Sequence, residues 1–200
     1  MKIYILRHED RTQDCSFFAP LTKKGLDNSI KLVNLMSKCN IGLIYCSPFI
    51  RTLQTVYPYA KEKNLKINLE YGISEIHNED IIPKKAVGIS LPEYLAECFN
   101  YQPDYKTIIK PTEIVYPEQI KDISLRVMRV LRKIIESYAK SDESIVLVTH
   151  QSLCAEVLKI INNSVEFKNK LEPTVINNYE KGKLSLIYDN GWTFKPINNN

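Results

Sequence analysis

The stretch that decides the fold is Ser-Pro-Phe-Ile-Arg-Thr-Leu-Gln-Thr, residues 47–55. It follows an apolar run, residues 41–46, that has the length and composition of a buried strand. Its first two residues are typical of a helix start, with serine as the cap and proline in the first helical position. The sequence therefore predicts a strand that leads directly into a helix, which runs to about residue 63 with a kink or stop near Pro58.

Outward from this stretch, β-rich runs alternate with apolar residues at helical spacing. The predicted strands are residues 2–6, 41–46, 66–69, 144–149, 184–188 and 192–194, and the other predicted helices are 22–37, 118–138 and 152–161. The last two strands flank an Asp-Asn-Gly sequence, which is typical of a tight hairpin turn. This alternation predicts an α/β fold: a three-layer α/β/α sandwich with a mostly parallel central sheet.

The pattern weakens between residues 76 and 117, a region that contains five prolines and only one short helical stretch after Leu91. Proline interrupts both helices and sheet ladders, so this region is predicted to be largely irregular. We expect a single domain over residues 1–200, with residues 76–117 as a small lid inserted over the functional site. The three terminal asparagines are expected to fray.

Composition argues against several classes of protein. Positive and negative residues are interleaved to a net charge of only +4, so no basic stripe indicates nucleic acid. The five cysteines are odd in number and form no Cys-x-x-Cys pair, which argues against a disulfide framework and against zinc. No run approaches the ~20 apolar residues of a membrane span, and charge appears too early for a signal peptide. We therefore expect a reduced, cytoplasmic protein that binds neither nucleic acid nor membrane.

Two histidines, His8 and His150, come directly after apolar strands. For either one alone, the simpler interpretation is a residue that ends a strand and bonds a loop carbonyl. In parallel sheets, however, ligands bind beyond the carboxyl ends of the strands, and both imidazoles are predicted to lie in that crevice. Arg7 precedes the first histidine, and Arg51 lies on the first turn of a predicted helix whose N-terminus favours anions. Two imidazoles, two guanidiniums and a helix N-terminus indicate a site for a tetrahedral dianion.

Other chemistries fit these residues less well. The arginines would repel a divalent cation, and the chain lacks a compact carboxylate–histidine spacing. No Gly-x-Ser-x-Gly turn marks a serine hydrolase, and with only six glycines there is no dinucleotide or P-loop motif. We therefore expect neither a metal nor a cofactor.

The motifs resemble those of the histidine phosphatase superfamily, also called the phosphoglycerate mutase-like family. Arg7-His8 resembles its R-H-G signature, and residues 47–55 resemble its S-P-x-x-R-x-x-Q-T segment. Residues 20–25 fit its P-L-T-x-x-G, and residues 148–150 resemble its second histidine strand. These blocks come in the family's order and span residues 2 to 161.

Finer features are similar to one branch of that family. Residues 7–11 resemble R-H-G-E-R, and residues 71–75 resemble a P-G-L-x-E segment. Both segments are similar to the phosphatase domains of the suppressor of T-cell receptor signalling proteins and to the insect ecdysteroid-phosphate phosphatases. The roles that the resemblance implies are a nucleophile at His8, phosphate binding by Arg7, Arg51 and His150, and a proton donor at Glu75.

Some assignments stay open. Glu79 and Asp80 are alternatives to Glu75 as the acid, Arg11 is either a substrate contact or part of a surface salt bridge, and His77 is expected in the lid or at the surface. Glu9 occupies the signature's glycine position, where a positive φ would cost roughly 1–2 kcal/mol.

The resemblance implies a phosphomonoester hydrolase that works through a phosphohistidine on His8 without a metal. There are two alternatives: a phosphoglycerate-type mutase and a catalytically silent domain that binds phosphorylated ligands. Asp14 argues against the mutase, because the mutases have an asparagine at this position. The expected partner is a phosphorylated small molecule or a phosphoprotein. Many relatives of this kind dimerise, so a homodimer stays open.

Overall fold

The computed structural model describes residues 1–198, and its centre is one sheet of six strands. The strands are β1 (Lys2–Arg7), β2 (Leu43–Cys46), β3 (Ile67–Leu69), β4 (Ser144–Thr149), β5 (Leu184–Asp189) and β6 (Trp192–Pro196). They lie in the order β3-β2-β4-β1-β5-β6. The first four are parallel, and β5 runs antiparallel to both of its neighbours. The predicted, mostly parallel sheet is confirmed.

Helices cover both faces of this sheet. They are α1 (Lys23–Lys38), α2 (Ile50–Glu62), α3 (Glu93–Ala96), α4 (Ile120–Tyr138), α5 (Gln151–Asn163) and α6 (Pro173–Asn177), of which the sequence patterns missed the last. The buried faces of α1 and α2 share one apolar cluster, and those of α4 and α5 share another. The three-layer prediction is therefore confirmed.

The strands serve both clusters because successive side chains of a strand point to opposite faces. In β1, Ile3 and Ile5 pack under α4 and α5, whereas Tyr4 and Leu6 pack in the cluster of α1 and α2. Strand β4 alternates in the same way and is buried along its whole length. This is why its sequence is a continuous apolar run rather than an alternating one.

The start of α1 holds the loop after β1 in place. Thr22 caps the helix as predicted, since its hydroxyl accepts a hydrogen bond from the N–H of Gly25 at 3.1 Å. A Cβ atom at position 25 would come within 2.1 Å of the Asp10 carbonyl oxygen. Glycine at this position therefore lets α1 approach the backbone two residues beyond His8.

The predicted start of α2 was wrong. The cap residue is Phe49, and the helix begins at Ile50 rather than at the proline. Ser47 does not cap the helix, because its hydroxyl is directed at His150 instead. The predicted end is confirmed to within a residue: Pro58 lies inside α2, and the helix continues to Glu62.

Residues 76–117 contain α3 and three short 3-10 turns, and the segment packs onto the body of the protein. The fully buried carboxylate of Glu70 anchors it, accepting hydrogen bonds from the Tyr105 hydroxyl and from the N–H of Ile108. The role of this segment as a lid stays a prediction. Of the three terminal asparagines that were expected to fray, the last two lie outside the described residues. No helix within residues 1–198 has the length and apolar character needed to cross a membrane.

Candidate functional site

The two histidines meet at the carboxyl edge of the sheet. Strands β1 and β4 are parallel neighbours with Arg7 opposite Thr149, so the residues that follow them lie side by side. The His8 N–H donates to the Thr149 carbonyl at 2.9 Å, and the imidazole rings of His8 and His150 are 5.2 Å apart between centroids. Both side chains are buried. The predicted juxtaposition is therefore present.

The tautomer of His8 follows from one hydrogen bond. Its Nδ1 lies 2.7 Å from the carbonyl oxygen of Glu9, and a carbonyl can only accept, so Nδ1 carries the proton. Burial, with the nearby charge of Arg51 as the next cause, lowers the pKa of His8 to about 3. The ring is neutral at pH 7, and its lone pair is on Nε2.

Glu9 does not strain the loop, contrary to the concern raised by its place in the signature. Its φ is not positive, unlike that of four asparagines elsewhere in the chain. Its N–H donates to the Thr55 hydroxyl at 3.0 Å, and its buried carboxylate accepts from Asn28 at 3.3 Å. Burial raises the pKa of this carboxyl. The side chain fits because it packs against Gly182, where a Cβ atom would lie 1.9 Å from Glu9 Oε1.

His150 is oriented by Ser47. The serine hydroxyl lies 2.8 Å from Nε2 of the ring, and both residues are fully buried. We assign the ring proton to Nδ1, which lies 3.7 Å from Oε2 of Glu75, so that the serine donates to Nε2. Burial, and after it the charge of Arg51, holds the pKa of His150 well below its usual value, so this proton stays on a neutral ring.

Both arginines are held by backbone carbonyls. Arg51 is 1% exposed, donates to the Ser16 carbonyl at 2.8 Å, and lies over the Phe49 ring with its guanidinium carbon 4.5 Å from the centroid. Arg7 donates to the Tyr179 carbonyl. Burial lowers the pKa of Arg51 to about 10 and also lowers that of Arg7, so Arg51 is still charged at pH 7.

Three buried nitrogens at this edge have no hydrogen-bond partner among residues 1–198: Nε of Arg7, Nε of Arg51 and Nδ1 of His150. A buried polar atom without a partner costs about 1–3 kcal/mol, so such atoms are rare without a reason. The other partnerless atoms among the described residues are in Ser37, Asn78, Tyr116 and Ser185. Two guanidiniums and a neutral N–H are donor types that the oxygens of a tetrahedral dianion accept from.

Glu75 reaches the same place from the turn after β3. Its Oε2 lies 3.7 Å from Nδ1 of His150, and its Oε1 accepts from the N–H of Ile76 at 3.0 Å. The alternatives do not reach this site, because the side chains of Glu79 and Asp80 are exposed and neither lines the cleft described below. Glu75 is therefore the carboxylate that the structure brings beside the histidines.

The sequence patterns missed the support of this turn. Arg126, on α4, donates to the carbonyls of Gly72 at 2.8 Å and Glu75 at 3.3 Å, and pairs with Glu118 at 2.6 Å. Glu118 also accepts from the N–H of His77 at 2.8 Å. A signal was available, because Arg126 lies beside Val127 within the apolar stripe of α4, where a charge needs a buried partner.

His77 and Asp14 lie apart from the histidine pair. Of the two positions expected for His77, in the lid or at the surface, the second was wrong: the residue lies within residues 76–117 and is 1% exposed, with its Nε2 3.2 Å from the Ser74 hydroxyl. Burial lowers its pKa to about 4. Asp14 is exposed and accepts from the N–H of Ser16 at 2.8 Å.

The site opens into a cleft of about 630 Å³. Its walls include Arg7, His8 and Glu75, together with residues from the loop after β1 and the start of α5. Arg11 is part of this wall, and its guanidinium donates to the Thr12 carbonyl at 2.7 Å. Among residues 1–198 it forms no salt bridge, so the alternative of a surface ion pair is not observed.

Comparison with known protein families gives one match, to a model described as the histidine phosphatase superfamily (branch 1), over residues 6–200. No curated protein sequence matches the chain. Solved structures with a similar fold are numerous.

One of them is the ecdysone phosphate phosphatase of Bombix mori in complex with tungstate, with a TM-score of 0.72 and 15% identity over 97% of this chain and 91% of that one. Another is the alpha-ribazole phosphatase of Shigella flexneri, with a TM-score of 0.67 and 18% identity over 100% and 96% of the two chains. A phosphoglycerate mutase from Bacillus anthracis aligns with a TM-score of 0.64 and 18% identity, over 98% and 92%. At these identities the likeness shows the fold.

Proposed function

The chain belongs to the histidine phosphatase superfamily, and from this premise we propose that it is a phosphomonoester hydrolase that passes the phosphoryl group through His8 to water without a metal. The observation that carries the proposal is the set of three partnerless buried donors, on Arg7, Arg51 and His150, beside a histidine whose Nε2 holds a lone pair. A phosphate needs free hydrogen-bond donors, whereas buried donors elsewhere in proteins normally have a partner.

The first step transfers the phosphoryl group to the protein. The Nε2 lone pair of His8 attacks phosphorus, an N–P bond forms, and the bond from phosphorus to the alcohol oxygen breaks. Phosphoryl transfer depends mostly on positioning and electrostatics, which the guanidiniums of Arg7 and Arg51 and the Nδ1–H of His150 supply. Removing one such preorganised donor typically costs on the order of 10²–10³ in rate.

Glu75 acts as the general acid and then as the general base. As a carboxylic acid it gives a proton to the departing alkoxide, and the resulting carboxylate then takes a proton from water. That water attacks the phosphohistidine, the N–P bond breaks, and inorganic phosphate leaves with His8 and the carboxylic acid restored. The distance of 3.7 Å from its Oε2 to Nδ1 of His150, one of the proposed phosphate donors, supports this role.

Two alternatives differ from this proposal in one measurable step each. A phosphoglycerate-type mutase shares the phosphohistidine but returns the phosphoryl group to a hydroxyl instead of to water. A silent phosphate-binding domain never forms the N–P bond. The engagement of Asp14 with Ser16, outside the cleft, supports neither alternative.

The test is brief reaction with a ³²P-labelled aryl phosphate followed by an alkaline quench. Acid-labile label is expected on the wild-type protein and is expected to disappear in His8→Ala. His77→Gln is the matched control, because it replaces a buried histidine outside the cleft and should keep the label. Label retained in His8→Ala would contradict the nucleophile assignment. Absence of label and of phosphate release in the wild type would favour the silent domain, and isomerisation of phosphoglycerate with little phosphate release would favour the mutase.

A further inference from the structure

The cleft in front of His8 is polar throughout. Eleven residues form its walls, and apart from the imidazole of His8 each has a charged, hydroxyl or amide side chain. Those that lie beyond the histidine include Arg11, Gln13, Ser152 and Lys181. Ligand pockets are usually lined mainly by hydrophobic and aromatic side chains, so this composition is unusual and limits what the cleft can hold.

The protein does have an apolar groove, but it lies elsewhere. A cavity of about 780 Å³ between α4 and α5 has walls that include Leu131, Ile135, Ile160 and Trp192. It shares no residue with the cleft at the histidines. A hydrophobic leaving group is held by burying its surface against apolar atoms, and the cleft at the histidines offers fewer of these than of polar atoms.

Several polar groups in the cleft are free to bind a ligand. Within the described residues, the hydroxyl of Ser152 and the side-chain amide of Gln13 have no hydrogen-bond partner in the protein. Gln151 donates its amide N–H to the Asn177 carbonyl at 3.1 Å, which leaves its side-chain oxygen as an acceptor. The cleft therefore presents both donors and acceptors beyond the phosphate position.

Charges of both signs lie in the outer part of the cleft. Lys181 and Asp10 form an ion pair, and the Asp10 carboxylate also accepts from the Thr22 hydroxyl, whereas Arg11 has no carboxylate partner among residues 1–198. A wall that offers both donors and acceptors matches hydroxyl groups, each of which can donate and accept. An apolar group in the same place would remove these side chains from water without replacing their hydrogen bonds.

We propose that the leaving group is a small polyhydroxylated alcohol, so that the substrates are sugar phosphates or polyol phosphates rather than steroid, lipid or simple alkyl phosphates. This inference rests on the proposed hydrolase function. It assigns the choice of substrate to the loop after β1 and to the start of α5, including Gln13 and Ser152.

The test compares two primary alkoxide leaving groups that the cleft must hold differently. Glucose-6-phosphate and hexyl phosphate both release a primary alkoxide, and because the sugar alkoxide is the less basic of the two, the change of the ratio in the variants below assigns the preference to the wall. The value of kcat/KM for the best of glucose-6-phosphate, ribose-5-phosphate and glycerol phosphate should exceed that for hexyl phosphate by roughly 10-fold or more, the worth of one to two hydrogen bonds. Nitrophenyl phosphate, whose leaving group needs little help, reports hydrolase activity itself.

Variants locate the preference. Ser152→Ala and Gln13→Leu should each narrow the sugar-to-hexyl ratio by roughly 5-fold, because each removes one hydrogen-bonding group from the wall. The ratio is the readout, because a variant that only damages the fold lowers kcat/KM for both substrates by the same factor. Ser141→Ala is the control, because its hydroxyl lies in the loop before β4, at the opposite edge of the sheet, and its ratio should match the wild type.

The outcomes separate the two proposals. Hydrolysis of nitrophenyl phosphate with hexyl phosphate preferred to every sugar and polyol phosphate overturns the substrate class and leaves the hydrolase function in place. An unchanged ratio in both Ser152→Ala and Gln13→Leu overturns the assignment to this wall. No turnover of any of these substrates overturns the hydrolase function and the substrate class together.

Discussion

Replacing Ser47 with alanine tests how the ring of His150 is held. In the wild type the buried hydroxyl donates to Nε2 at 2.8 Å and keeps the ring proton on Nδ1, which lies beside Glu75 and is a proposed phosphate donor. Without the hydroxyl, nothing holds Nε2 as an acceptor. The other tautomer then becomes populated, and it presents a lone pair instead of a donor to the phosphate. Protonation does not restore the donor, because burial and Arg51 hold the pKa of the ring well below its usual value.

The magnitude is bounded by two effects. Loss of one preorganised donor costs on the order of 10²–10³ in rate, which is the limit expected for His150→Ala. Ser47→Ala keeps the ring and loses only the correct tautomer, so we expect kcat on an aryl phosphate to fall by roughly 10-fold to 10²-fold. The partnerless Nε2 should also lower the free energy of unfolding by about 1–3 kcal/mol.

A double-mutant cycle is the assay. If Ser47 acts through His150, its replacement should have little further effect on kcat in the His150→Ala background. Ser29→Ala is the matched control, because it removes a buried serine hydroxyl that donates to the Leu26 carbonyl at 2.7 Å, outside the cleft. Ser47→Cys, which keeps a weak donor, should restore part of the rate. Full activity in Ser47→Ala, or the same loss in both backgrounds, would refute the reasoning.

The remaining predictions concern the acid, the pH dependence of stability and the metal. Glu75→Gln should slow turnover of alkyl phosphates by roughly 10²–10⁴ and that of nitrophenyl phosphate far less, whereas exposed Glu79→Gln should be nearly silent in the same assay. Because burial lowers the pKa of His77 to about 4, the unfolded chain binds a proton between about pH 6.5 and pH 4 that the folded protein does not. Stability should therefore fall as the pH falls through this window. In a plot of the unfolding free energy, measured with urea, against pH, His77→Gln should reduce the slope by ~1.4 kcal/mol per pH unit. An unchanged slope would contradict this prediction. Activity should persist in the presence of a chelator and be inhibited by vanadate. If a chelator abolished the activity and a divalent ion restored it, the metal-free mechanism would be wrong.

Most of the fold could be predicted because its signals are local. Strand β4 is an apolar run, α4 has an apolar stripe at helical spacing, and Thr22 is a typical cap. Once the strands are identified, residues far apart in the chain can be expected to lie close together, because those that follow neighbouring parallel strands lie at the same edge of the sheet. That rule predicts that His8 and His150 lie together, and their rings are 5.2 Å apart between centroids.

The helix start at residues 47–55 shows where local reasoning failed. The pattern predicted Ser47 as a cap, because serine is preferred at the cap and proline at the first helical position. Its hydroxyl instead bonds a histidine 103 positions away, across the site. A local pattern has no information about a partner that distant, so the cap interpretation was the reasonable one and was wrong.

The sequence by itself determined the layered α/β architecture, the family and the residues that gather at the carboxyl edge of the sheet, since these depend on periodicity and on short motifs. Tertiary structure alone decided which atoms carry protons there, how Arg126 and Glu118 hold the turn of Glu75, and why Glu9 fits against Gly182. The physical reason is that each of these depends on hydrogen bonds and close approaches between segments far apart in the chain. Such contacts exist only once the sheet and its helices have brought those segments together.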